Sequence, residues 1–288
     1  MSKTIFPGLN LEFIRCEDKP FIAALDRAAR MGYQWVEPMV HNGRELLSEA
    51  GYFHSVSLDE DPLYIRDLLQ QYCLRPSGLS SHAPLMRPEI SAPWLERAIR
   101  FAAAIGARVV NTDEGIRPKW VTREEALDVI RYTLKTVLRT AERHGVFIAI
   151  EPHQEITRTT EGLLSIVNLV DSPMLRVNYD TGNAWLGGAD PYEGLQAVVD
   201  RVVHIHAKDI DPGAGEALRG KTTGTPVGCA CGDGVINWRK VTEILRGANF
   251  SGVLSVECGT PEQAERSLNH LNTILEAYDE HDALRTLD

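Results

Sequence analysis

Cysteine is scarce in this 288-residue chain, which holds Cys16, Cys73, Cys229, Cys231 and Cys258 and no CxxC element. An odd count without such spacing builds neither a disulfide framework nor a zinc ribbon, so the fold is expected to rest on an apolar core in a reducing cytoplasm. Cys229 and Cys231, a CxC in a glycine-rich stretch, read as free loop thiols rather than as a metal or redox pair. Long hydrophobic runs are also missing. No stretch approaches the roughly 18 apolar residues of a membrane span. The opening MSKTIFPGLNLEF has one lysine and no apolar core segment, so a secretory leader is not expected. Positive charge is in deficit: 30 Lys and Arg against 40 Asp and Glu give a net charge of -10. That excess repels polyanions and makes nucleic acid an unexpected partner.

What remains is ordinary globular composition, 43% hydrophobic and 24% charged, patterned from end to end as short apolar runs alternating with amphipathic segments. Eight runs read as strands: Ile5–Ile14, Trp35–Val40, Ser77–Ala83, Val109–Asp113, Val146–Glu151, Leu175–Asp180, Val202–His206 and Val253–Glu257. Between them lie helical patterns at Pro20–Met31, Pro62–Tyr72, Pro93–Ile105, Arg123–His144, Thr160–Val170, Pro191–Arg201, Trp238–Ala248 and Pro261–Tyr278. The clearest, Arg123–His144, opens on a capping box formed by Thr122 and Glu125 and stops at Gly145.

Strict alternation of strand and helix calls for a parallel sheet, and about 36 residues per unit suits a (β/α)8 TIM barrel in one domain over residues 1–288. An open doubly wound sheet usually carries a phosphate-binding glycine fingerprint after its first strand, and FPGLNLEFIRCEDKP has none. Two connections are long for ordinary βα loops, residues 41–58 and 211–236. In a barrel both lie on the C-terminal face, where they are expected to cover the site.

The strand ends of the second half carry the chemical signal. FIAIEPH, LRVNYDTGN, VVHIHAKD and VLSVEC end on Glu151, Asp180, His206 and Glu257. In a barrel these ends meet at one mouth, and strand periodicity turns His204 with His206, Asn178 with Asp180 and Ser255 with Glu257. Three carboxylates and an imidazole cannot converge unpaired in a low-dielectric cavity, whereas a divalent cation resolves the conflict. Such a donor set suits Mn2+, Mg2+, Co2+ or Zn2+. His153, His82 and Lys208 are candidate substrate contacts, with Asp209 as an alternative partner for Lys208. His204 reads as a partner beneath the ligands or as a hydrogen-bonded core residue.

The ordered set EPH, NYDTGN, HIHAKD, GDGVINW (Gly232–Trp238) and SVE resembles the sugar isomerase/epimerase superfamily with a xylose-isomerase-like barrel, a group that also resembles inosose isomerases and dehydratases and endonuclease IV. The resemblance spans essentially the whole chain. It implies one divalent metal, Mn2+ first, held by Glu151, Asp180, His206 and Glu257. It also implies that Glu151 and Glu257 move a proton beside a carbonyl through an enediolate. The implied activity is an isomerase or epimerase of a sugar, sugar phosphate or cyclitol, often as a homo-oligomer. A dehydratase or lyase on a keto-sugar, keto-inositol or 3-keto-glycoside uses the same residues. A phosphodiesterase of the endonuclease IV kind needs more histidines and a basic face, and a non-catalytic barrel has no use for such a charge cluster. Ketose 3-epimerases have a histidine three residues after the metal aspartate and an arginine six after the metal histidine. Asn183 and Pro212 stand there in this chain, which points away from free hexuloses and makes Asn183 a candidate substrate contact.

Overall fold

A computed structural model describes residues 4–43, 52–221 and 228–285. Eight parallel strands form the barrel: β1 (Ile5–Asn10), β2 (Trp35–Glu37), β3 in two pieces (Arg75–Pro76 and Leu79–Ser80), β4 (Val109–Thr112), β5 (Phe147–Ile150), β6 (Leu175–Asp180), β7 (Val202–Ala207) and β8 (Gly252–Val256). The hydrogen-bonded order runs from Arg75–Pro76 through β2, β1, β8, β7, β6, β5 and β4 to Leu79–Ser80. Both ends of that order are pieces of the same strand, so the sheet closes on itself.

The expected strand at Ser77–Ala83 is therefore corrected to two short segments. Pro76 has no N–H to give a ladder, and at Gly78 a Cβ would stand 3.3 Å from the Val109 carbonyl and 3.6 Å from the His204 ring. The join is held at Ser77, whose N–H bonds Val36 O (2.8 Å), and in the second piece at Ser80, whose N–H bonds Pro38 O (2.9 Å).

The helices are α1 (Phe21–Met31), α2 (Pro62–Gln71), α3 (Pro88–Ile105), α4 (Arg123–His144), α5 (Thr160–Val167), α6 (Thr181–Leu186), α7 (Pro191–Val198), α8 (Pro212–Glu216), α9 (Trp238–Gly247) and α10 (Pro261–Arg285). The Thr122–Glu125 capping box and the left-handed Gly145 (φ 64°) bound α4 as its residues predict. The third helix starts five residues earlier than expected. Pro88 opens it at a position where no N–H is needed, and Pro93 is accommodated within its length.

A second correction concerns the first strand, which ends at Asn10 and not at Ile14. The Asn10 side chain accepts from Glu12 N (3.0 Å) and starts a 3-10 turn over Leu11–Glu17. Leu11, Phe13 and Ile14 remain buried there, which is why their apolar run read as more strand. Of the two long connections, residues 44–51 and 222–227 lie outside the described residues. The flanks show a parallel pairing of Val40–His41 with Val56–Ser57 and an antiparallel pairing of Asp209–Ile210 with Gly228–Cys229. No described helix is long and apolar enough to cross a membrane.

Candidate metal centre at the barrel mouth

Successive strands bring their terminal side chains together because neighbours are in register: His206 pairs with Asp180 across β7 and β6, and with Ser255 across β7 and β8. Glu151, Asp180, His206 and Glu257 each offer a ligand atom, and these atoms all lie within 4.8 Å of one another. His206 Nδ1 stands 3.2 Å from Glu151 and 3.0 Å from Glu257. Two buried atoms in this cluster, His206 Nδ1 and Asp180 Oδ2, have no hydrogen-bond partner. Unpartnered buried polar atoms are costly, and here both belong to a set of one imidazole and three carboxylates. The residues fit a divalent cation.

The electrostatics lead to the same fit. Burial, with Glu257 and Glu151 nearby, lifts the Asp180 carboxyl to about 7 against the pull of Lys208. Burial disfavours charge on His206 too, yet Glu37 and Glu151 hold its ring protonated well above the usual histidine range. Protons at these two positions relieve the clustered negative charge, and a dication would supply the same relief in their place.

Each ligand is oriented from behind. Asn183 gives its backbone N–H to Asp180 Oδ1 (2.7 Å) and its Nδ2 to Glu151 Oε1 (3.1 Å). Asn178 donates to Glu151 Oε2 at 3.4 Å and accepts from His204 Nδ1 at 3.0 Å, and His204 Nε2 meets Ser77 Oγ at 3.3 Å. Burial drops His204 to about 4, so it is a neutral member of this chain of bonds. Lys208 donates to Glu257 Oε1 (2.7 Å) and Asn183 Oδ1 (3.2 Å) and stands 3.6 Å from Asp180. Burial opposes its charge, but Glu257 and Asp180 keep it an ammonium above the usual lysine range. Glu257 is driven up by burial and then held well below the carboxylate range by Lys208 and His206.

Two sequence expectations change here. Asp209 is not the partner of Lys208: it is buried and accepts from Gly232 N, Ile236 N and Trp238 Nε1, each at 2.9 Å, which anchors the segment after the long loop. Asn183 is fully buried, and its described bonds run to Asp180, Glu151 and Lys208 rather than to open space. Cys229 and Cys231 are free thiols. Cys231 is buried against the Ala207 carbonyl (3.4 Å).

Sequence reasoning passed over Glu37. It is wholly buried at the end of β2 and accepts His206 Nε2 at 3.0 Å on both oxygens, Ser255 Oγ at 2.7 Å and Asn111 Nδ2 at 2.5 Å. Burial pushes Glu37 up, but His206, His204 and the bonds from His206 and Ser255 prevail and hold it at about 2. A carboxylate on Nε2 fixes the tautomer that leaves Nδ1 free to bind a metal.

His82 and His153 stand at the rim with their rings 5.3 Å apart, and Asp113 Oδ2 meets their Nδ1 atoms at 3.1 and 3.4 Å. Burial lowers His82, but the bond to Asp113 and the charge of Glu151 raise it to about 10. Glu114, also unforeseen, accepts from Ile156 N (2.8 Å), Thr157 N (3.0 Å) and Thr157 Oγ1 (2.8 Å), pinning the turn that carries His153. A cleft of about 570 Å³ opens beside Lys208 and Glu257, lined also by Glu12, Arg15 and Gln263 among others.

The sequence profile of a family described as "Xylose isomerase-like TIM barrel" matches residues 25–274. A 3-oxo-isoapionate decarboxylase of Pectobacterium atrosepticum is 27% identical over 54% of this chain and 54% of its own. An inosose dehydratase of Clostridium perfringens is 28% identical over 54% and 59%. The chain thus spans little more than half the length of these curated relatives. Among solved structures, a D-tagatose 3-epimerase-like protein superposes with TM-score 0.76 at 22% identity, covering 96% of this chain and 99% of that one. A structure described as IOLI protein with a binding zinc atom gives TM-score 0.72 at 20% identity over 93% and 96%.

Proposed function

Because the chain belongs to the xylose isomerase-like TIM barrel family, whose members named above are sugar- or cyclitol-modifying enzymes, we propose that it is a divalent-metal-dependent isomerase or epimerase of a small sugar or cyclitol, working by proton abstraction beside a carbonyl. The observation that carries this reading is the convergence of Glu151, Asp180, His206 and Glu257 around two unpartnered buried atoms. Those four residues would hold the metal, with Mn2+ the first choice and the zinc in a structural neighbour in favour of Zn2+. A cation bound there polarises the substrate carbonyl and acidifies the adjacent C–H.

The chain's own residues divide the remaining work. Glu257 is the ligand that both lines the cleft and keeps some exposure, 17%, so it is the carboxylate that meets the substrate. Lys208 keeps it ionised and able to accept a proton. The Lys208 ammonium also lines the cleft, where it can donate to an oxygen that gains charge as the enediolate forms. Glu151, clamped by Asn178 and Asn183, is the second carboxylate: in an epimerisation it would take a proton from solvent and deliver it to the opposite face, while Glu257 later gives its own proton back to solvent. His153 and His82 bind substrate hydroxyls at the rim.

A dehydratase is the second reading. The specific observation for it is the His82–Asp113–His153 group, which keeps an imidazolium beside the mouth, placed to protonate a departing hydroxyl. The similarity to inosose dehydratase accords with this.

The test is proton NMR in D2O with Mn2+-loaded protein and a panel of ketoses and inososes. Deuterium at the carbon beside the carbonyl, with a new epimer or aldose, is the expected result. Deuterium with loss of water favours the dehydratase. Glu257→Ala should lose both tight metal binding and exchange; retention of both would sink the ligand assignment.

A further inference from the structure

Resting on the reading of the site as one that enolises a hydroxylated ketone, we propose that Glu12 sets its charge preference, so that the cleft takes an uncharged polyol ketone and turns away ketones bearing phosphate or carboxylate. Glu12 sits at the mouth because the Asn10 cap ends β1 and starts the 3-10 turn. Its carboxylate lines the same cleft as Glu257 and Lys208 and is 23% exposed. Arg15 Nη1 stands 4.0 Å away. Burial and Glu257 push the Glu12 carboxyl up against the opposing charges of His82, Arg15 and Lys208, and no described donor hydrogen-bonds to it.

Among the described residues, the positive charges at the mouth each face a carboxylate. Lys208 is bonded to Glu257 at 2.7 Å and His82 to Asp113 at 3.1 Å. A dication together with Lys208 offsets Glu151, Asp180 and Glu257. Arg15, besides facing Glu12, donates to Tyr52 Oη at 3.0 Å and lies 4.5 Å over the Tyr52 ring, with its side chain 47% exposed. Among the described residues that line the cleft, Arg15 and Lys208 are the cations, and each already faces a carboxylate, Arg15 that of Glu12 at 4.0 Å and Lys208 that of Glu257 at 2.7 Å. A phosphate or carboxylate brought into this space meets Glu12 as a like charge, whereas a hydroxyl finds in Glu12 a carboxylate with free acceptor sites. One like charge at close range in a partly screened cleft is worth about tenfold in binding.

The experiment measures deuterium exchange with Mn2+-loaded protein for matched pairs, inosose with an inosose phosphate, D-fructose with D-fructose 6-phosphate and D-tagatose with D-tagatose 6-phosphate. For the pair that exchanges, kcat/KM is expected to favour the neutral ketone by about 10-fold at low salt, an advantage that shrinks as salt screens it. Glu12→Gln keeps a hydrogen-bonding group but removes the charge. It should lower the neutral ketone's kcat/KM about threefold, through KM, and raise the phosphorylated one's about tenfold. A wild-type preference for the phosphorylated ketone overturns the role of Glu12 and leaves the enolisation reading standing, as does a ratio that Glu12→Gln leaves unmoved. Absence of exchange with every ketone, metal being bound, overturns the enolisation reading itself and this inference with it. The salt dependence of the wild-type ratio supplies the answer should the variant fail to fold.

Discussion

Replacing Glu37 by glutamine changes no atom of the metal cluster, yet it should weaken metal binding markedly. Four hydrogen-bond contacts converge on this carboxylate, from Asn111 and His206 on one oxygen and from Ser255 and His206 on the other. A glutamine must turn its NH2 toward one side. On the Asn111 side two amide donors would face each other; on the Ser255 side the hydroxyl can rotate to accept, so the amide settles there. What is lost in either case is the charge that polarises His206 Nε2–H. Loss of such a carboxylate behind a ligating histidine costs about 10–100-fold in metal affinity. In the metal-free protein the effect has a defined pH signature. Glu37 is held at about 2, below its usual 4.5, so it stabilises the fold at pH values above 4.5 and loses that contribution as pH falls toward 2. A shift of this size corresponds to about 3 kcal/mol. The destabilisation caused by Glu37→Gln should therefore be full at pH 6 and shrink steadily between pH 5 and pH 2. Chelator competition gives the affinity and urea unfolding at each pH gives the stability. If the variant binds Mn2+ within twofold of wild type and its stability deficit is flat across that pH range, the coupling argued between Glu37 and His206 is wrong.

Two other perturbations probe the groups around the site. Asp113→Asn removes the carboxylate that raises His82 to about 10, so an NMR titration should show the His82 ring returning toward its usual value near 6.5. In wild type the stability this pairing supplies is complete below about pH 6.5 and fades as pH rises toward 10; in the variant that alkaline loss should vanish. Trp238→Phe deletes one of the donors to the buried Asp209, with an expected loss of about 1–3 kcal/mol in urea unfolding. Because Asp209 also anchors Gly232 and Ile236, protease cleavage near the following segment should accelerate, and an unchanged cleavage rate would count against the anchor.

How much of this was legible in the residues follows from how each strand ends. In β5 through β8 an apolar run stops on an ionisable residue just where the chain leaves the barrel, and the periodicity of two then places Asn178, His204 and Ser255 beneath the cluster, where they are found. The same signature was available in QWVEPMV and VVNTDEG, whose Glu37, Asp113 and Glu114 went unread. Glu37 was masked because the strand was carried on to Val40, which pairs instead with Val56 in a separate short ladder. Glu12 was hidden for a different reason. Leu9, Leu11, Phe13 and Ile14 are apolar whether the backbone is extended or coiled, and only the Asn10 cap, a single side-chain bond, decides that the strand ends and the carboxylate turns into the cleft. Asn183 marks the limit of pattern reading from the other direction. Its departure from the epimerase pattern was visible, but its consequence was not. An asparagine is short enough to stay buried and to tie Glu151 to Lys208 with one amide, so it braces two groups of the candidate site. Among the described residues at the mouth, Glu12 is a carboxylate to which no donor is bonded, and it is there that the proposed substrate preference is to be tested.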